Sequence, residues 1–194
     1  MKEQETNFLR GYAAGFSARR PPLTDSSSIG MELKNNLQKM EFGNWKIGSH
    51  FMGETIPKAS NYVKLDDNQT DDWGVPLARI NVGFDDNDLK MAEDYEEQMT
   101  EMYTLAGFKN IKVKRKDTWN PGLDIHEMGG VIMGNDPKTS QLNKWNQLHN
   151  CKNVFVTDGA CMTSNSTQNP SLTYMALTAR AANFAVEALK RGDL

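Results

Sequence analysis

NVFVTDGACMTSNSTQNPSLTYMALTARAA, residues 153–182, is the stretch whose reading decides the fold. Val154-Phe155-Val156 is a short apolar run closed by Thr157-Asp158-Gly159-Ala160, which predicts a buried strand followed by a tight turn. The polar stretch from Thr163 to Gln168 leads to Asn169-Pro170, where Asn is a favoured helix N-cap and Pro a favoured first helical residue. Leu172, Met175, Ala176, Ala179, Val186 and Leu189 then carry a helix to Gly192, and its alanines predict close packing on a neighbour. Strand, loop and capped helix make an α/β end-piece whose helix N-terminus faces the space beyond the strand's carboxyl end. Ligands of α/β sheets sit there.

Just upstream, His126-Glu127-Met128-Gly129-Gly130-Val131-Ile132-Met133-Gly134 sets an imidazole beside a glycine-rich turn. Further back, Ala92, Tyr95, Met99, Met102 and Ala106 recur at spacings of three and four, the stripe of an amphipathic helix. Asn87 is its expected cap and Gly107-Phe108 its left-handed stop. The Met and Tyr stripe reads as core packing. Before it lie short strand-like runs at Trp45-Lys46-Ile47, His50-Phe51-Met52, Tyr62 to Leu65 and Ala78 to Val82. Asp66-Asp67-Asn68 and Trp73-Gly74 with Pro76 supply turns, so an antiparallel sheet is expected. Ile111-Lys112-Val113-Lys114 alternates and predicts one more strand. The first forty residues show one modest helical pattern, Met31 to Met40, within a Gly-, Pro- and Ser-containing segment that leans on something else.

Composition narrows the function classes. The 194 residues suit one domain or two closely packed parts, and 38% hydrophobic content predicts a lean core. With 22 basic against 25 acidic residues and a net charge of -3, neither a nucleic-acid partner nor an anionic-membrane surface is expected. No apolar run approaches the roughly 20 residues that span a bilayer, and the polar start lacks the apolar stretch of an export signal. Localisation is therefore left unassigned. Cys151 and Cys161 show no metal-ligand spacing and read as free buried thiols.

Taken singly, the candidate site residues have ordinary readings. His126 is a strand-end histidine for which metal, base and structural roles compete. Asn169 is an N-cap, Asp158 a turn residue, and Gly129, Gly130 and Gly134 mark positive φ or close backbone approach. Their order and spacing together carry a family resemblance. With HEMGGVIMG and Asp136-Pro137, then Asn153 to Ala160, then NPSLTYMALTARAA from Asn169, the chain resembles the glucose-methanol-choline (GMC) oxidoreductases, flavoenzymes that oxidise alcohols and sugars. The resemblance runs from about Gly43 and is clearest from Pro121 onward; Gly53 to Pro57 and Asp72 to Pro76 resemble substrate-domain segments more weakly. It is most similar to the branch with pyranose 2-oxidase, gluconate dehydrogenase large subunits and sugar 3-dehydrogenases, which carries Asn-Pro where other branches carry a second His.

The resemblance implies FAD as cofactor and a sugar or polyol as substrate. It makes His126 the base that takes the hydroxyl proton while hydride leaves to the flavin N5, and Asn169 the group that holds the same oxygen. It places Asp158, Gly159 and Ala160 against the cofactor, and it sets Asn169, Pro170 and Ser171 at a helix N-terminus near the flavin's pyrimidine edge. The implied fold is mixed α+β and α/β: an antiparallel substrate-domain sheet with packed helices, in residues 1–116, and a segment at 117–194 that supplies the last strand and helix of an FAD-binding Rossmann-like domain. Two departures matter. Gly130 and Ile132 stand where the family often has Thr and Arg, and no Gly-x-Gly-x-x-Gly is present to cradle a pyrophosphate. The chain thus resembles the C-terminal portion of such an enzyme, with the FAD-binding half supplied in cis or trans and the electron acceptor unassigned. The alternative expectation is a truncated, non-catalytic carbohydrate-binding or assembly module without flavin, using the sheet between Trp45 and Val82.

Overall fold

A computed structural model describes residues 6–22, 27–39, 41–113, 121–122 and 125–194. Among the described residues the architecture is α+β: three separate two-stranded antiparallel ribbons and three helices. The first ribbon pairs β1 (Tyr12–Arg19) with β2 (Lys46–Gly53), across the helix α1 (Met31–Gln38). The second pairs β3 (Tyr62–Thr70) with β4 (Pro76–Asn81) and leads into α2 (Asp86–Leu105). The third is the short hairpin of β5 (Gln147–Leu148) and β6 (Cys151–Phe155), followed by a 3-10 turn at Gly159–Cys161 and the long helix α3 (Ser171–Arg191).

The single antiparallel sheet expected between Trp45 and Val82 is instead split. β2 takes its partner from the N-terminal segment, where Tyr12, Ala14, Phe16 and Ala18 alternate with small or polar residues and give one apolar face. That face meets α2 through an aromatic cluster, with Tyr12, Phe51 and Tyr95 ring centroids 5.1 to 5.6 Å apart. Met91 and Ala92, on the same side of α2, are fully buried. Tyr12 donates to the Asp94 carboxylate at 2.6 Å, and Tyr95 to Ser49 at 2.9 Å. Burial first, and then the hydrogen bond to Asp94, push the Tyr12 phenol up to about 12.

The stripe reading of α2 holds, but its start lies two residues earlier than expected. Asp85, not Asn87, is the cap: it accepts from the Asn87 and Asp88 amides while Asp88 accepts from the Asp85 amide, a reciprocal capping box. Lys58 lies 3.3 Å from both carboxylates and balances them. Asn87 is diverted to the backbone of Leu9, donating and accepting. At the other end the predicted stop is present: Gly107 is left-handed, the Phe108 amide donates to Tyr103 O at 3.0 Å, and the two rings meet edge to face.

β3 runs through the turn expected at Asp66-Asp67-Asn68. Asp66 accepts from the Asn68 and Gln69 amides, and the pairing register shifts between Leu65 and Thr70, so this turn chemistry builds an irregularity inside a strand. The hairpin turn is made by Asp71 and left-handed Gly74. Val63 opposite Ile80 and Leu65 opposite Ala78 share one face of this ribbon, and that face is open, with Val63 and Ile80 each 69% exposed. Ile111 to Val113 form no strand, and Lys114 lies outside the described residues, as does the boundary expected at 116/117.

Among the described residues, no helix is long and apolar enough to cross a membrane, and no group of three or more His, Cys, Asp or Glu is placed to hold a metal ion.

Candidate functional site

The glycine-rich segment and the Asp158 turn are joined by hydrogen bonds. Gly129, Val131 and Met133 donate their amides to the carbonyls of Gly159, Ala160 and Cys161 at 3.3, 3.1 and 3.0 Å. Every second residue of the glycine-rich segment thus meets each successive residue of a compact 3-10 turn. The other edge of the segment is held as well. The Ile132 carbonyl accepts from the Gln141 and Leu142 amides, and the Gly134 amide donates to Leu142 O at 2.8 Å. Leu142 is fully buried, and a Cβ on Gly134 would lie 2.7 Å from the Ser140 side chain.

His126 stands at the entrance to this segment. Its backbone is left-handed, φ 77°, and the residue is half-buried. Such a conformation costs a non-glycine residue about 1–3 kcal/mol and persists only where the surroundings impose it. Asp158 uses its side chain to cap the 3-10 turn, accepting from the Ala160 amide at 2.9 Å. Its hydrogen-bonding capacity is only partly consumed, since a carboxylate offers several acceptor positions.

The helix start departs from expectation by one residue. Pro170 is the N-cap and is buried; Asn169 precedes it, exposed, with no side-chain cap bond. Proline's fixed φ already suits the first turn, so the chain enters the helix through Pro170 itself. The Thr173 and Tyr174 amides return to Pro170 O, which leaves the Ser171 and Leu172 amides at the end of a 21-residue helix. The Ser171 and Tyr174 hydroxyls lie 2.8 Å apart. Among the described residues, no hydrogen bond joins His126 to Asn169, and neither side chain makes a hydrogen bond, ion pair or ring contact. The structure joins the His126 to Gly134 segment to the Asp158 turn by hydrogen bonds, none of which involves Asn169.

α3 is locked to the strand before that turn. Thr178 donates to Thr157 O at 2.8 Å, Phe184 packs edge-on to Phe155, and Trp145 stacks on Phe184 at 4.9 Å. β6 itself is mostly exposed rather than buried, because its only strand partner among the described residues is the two-residue β5. Cys151 on it is exposed too, while Cys161 is buried and burial raises its thiol pKa.

Two residues that sequence reasoning did not single out hold this assembly. Asn146, fully buried with φ 61°, donates to Val156 O at 2.9 Å and accepts from Arg180 at 3.4 Å; its carbonyl accepts from the Val156 amide. Arg180 also lies over the Trp145 ring. A signal was present for Arg180: it is the first charged residue in α3, after nine uncharged ones. Asn146 had none beyond the general tolerance of asparagine for left-handed backbone.

A family model for GMC oxidoreductase matches residues 57–178, a span that contains His126, Asp158 and Asn169. The 2-methyl-1,2-propanediol dehydrogenase of Mycolicibacterium austroafricanum is 35% identical over 74% of this chain and 26% of that protein. The fructose dehydrogenase large subunit of Gluconobacter japonicus is 30% identical over 72% of this chain and 25% of its own length. The gluconate 2-dehydrogenase flavoprotein of Pantoea cypripedii is 33% identical over 61% of this chain and 20% of its own length. The chain spans about a quarter or less of these relatives.

Proposed function

This chain belongs to the GMC oxidoreductase family, and from that premise we propose that it is the C-terminal part of a longer or split FAD-dependent enzyme that oxidises a hydroxyl group of a sugar or polyol. The observation that carries the reading is His126, held in a left-handed backbone immediately before a segment hydrogen-bonded to the Asp158 turn. Strain of this kind in a non-glycine residue points toward function when the surrounding hydrogen bonds impose it. The substrate class follows the relatives, which are named for a diol, a fructose and a gluconate.

The residues present suit one edge of FAD rather than the whole cofactor. The Ser171 and Leu172 amides are uncapped by any side chain, and the positive end of α3 favours negative charge beside them. Gly159 fits less well as a cofactor-facing glycine, because its open side is filled from within the chain: an added Cβ would sit 2.9 Å from Glu127 O. When bound, FAD supplies the hydride acceptor. His126 takes the hydroxyl proton, since an imidazole nitrogen is a base near neutral pH. Asn169 donates to the same oxygen without competing for the proton, because a carboxamide does not titrate. Asp158 and Ala160 would border the cofactor. In this reading residues 1–116 serve the substrate side and 117–194 complete the FAD domain, with the remaining FAD-binding half supplied in cis or trans.

The open apolar face of β3 and β4 favours a second reading, a non-catalytic assembly module that meets a partner through Val63, Leu65 and Ile80. Anaerobic bleaching of flavin separates the two. The enzyme reading predicts that the flavin-loaded protein containing this chain loses its absorbance near 450 nm when sugars or polyols are added. If no member of a panel of sugars, diols and sugar acids bleaches it, the enzyme reading fails and the assembly reading stands.

A further inference from the structure

We propose that Gly159 is a positioning residue for His126: by lacking a side chain it seats the Glu127 to Met133 segment on the 3-10 turn, and that seating fixes where the imidazole sits. The inference rests on the reading of His126 as the base.

Glycine at a turn usually serves a positive φ, but Gly159 is not among the left-handed residues. Its requirement is for space. A Cβ there would lie 2.9 Å from Glu127 O, 3.0 Å from Met128 Sδ and 3.2 Å from Met128 Cε. The methionine arm can swing aside, whereas the Glu127 carbonyl is backbone and belongs to the residue next to His126. Moving it drags the histidine. The same glycine carbonyl accepts from the Gly129 amide at 3.3 Å and from the Met162 amide at 3.1 Å, so it closes both the splice and the turn. Gly129 and Gly130 are left-handed, at φ 89° and 95°, and give the chain the reversal that brings Glu127 over Gly159. The base-bearing segment and the cofactor-side turn therefore move as one unit, and the contact that registers them is the absent side chain of Gly159.

The chain has three histidines, so their ring signals can be followed one by one by NMR. His50, on β2 opposite Gly15 of β1, is the internal reference, in a ribbon built from other elements than the splice. In the Gly159→Val variant the His126 ring signals should shift while those of His50 stay. The Gly129, Val131 and Met133 amides should lose about ten-fold in protection from hydrogen exchange, the signature of local opening. Gly159→Ala should move the same signals less, and adding Met128→Ala should return them partway. If Gly159→Val does not fold, Gly159→Ala and the wild-type exchange rates decide: the three amides must be protected in the wild type. Unshifted His126 signals in the folded variants, or unprotected amides in the wild type, overturn the proposal. Neither result bears on whether His126 is the base, which a catalytic measurement on His126→Ala decides separately.

Discussion

The part of the chain up to Val113 and the part from Ile125 onward are held together by different physics. In the first, α2 lays Met91, Ala92 and Tyr95 on an aromatic face of the β1–β2 ribbon, and contact area does most of the stabilising. In the second, buried amides and backbone groups fix the registers: Asn146, Gln147 and Ser140 are buried, and each has its hydrogen-bond partners. Apolar contact tolerates small displacements, whereas a hydrogen-bonded ladder has one register. The proposed catalytic residues fall in the half where position is set by directional bonds.

Replacing the centre of each half tests that contrast. Asn146→Leu leaves the Val156 carbonyl without its amide donor and puts a branched side chain at φ 61°, so it should cost about 4 kcal/mol in a denaturant titration. Met91→Ala opens a cavity beside the aromatic cluster and should cost about 3 kcal/mol. A larger loss from Met91→Ala than from Asn146→Leu would erase the distinction between the halves.

A smaller effect separates them by pH. The Tyr12 phenol is raised to about 12 from 10.0, so its neutral form is favoured in the folded state. Its contribution is complete below the unfolded value and is lost as pH rises from 10 toward 12. The loss should be on the order of 1 kcal/mol, reduced by partial solvent exposure. Tyr12→Phe should flatten stability over that alkaline range, whereas a variant of the second half should not.

The legible parts of the fold were those set by local chemistry. The α2 stripe, the Gly107-Phe108 stop, the Asp158 turn and the Gly192 end of α3 each depend on residues within one or two turns, and each is where the sequence placed it. Long-range pairings were not legible. β1 was unread because Tyr-Ala-Ala-Gly-Phe-Ser-Ala-Arg has few strand formers, and its partner lies beyond α1 in sequence. The caps slipped by one or two residues where several candidates for the helix start stood together: Asp85 beside Asn87, and Pro170 beside Asn169. In the candidate site the motifs themselves could be read, but the use of Gly159 could not. Only the folded chain shows that Glu127 fills the space its side chain would take.

The most direct test of the account is the rate of flavin reduction by a sugar or polyol, followed anaerobically in the flavin-loaded protein containing this chain, for wild type and His126→Ala. Loss of the base predicts reduction slower by about 10²–10⁴-fold with the flavin still bound. Reduction by His126→Ala at the wild-type rate would contradict the account.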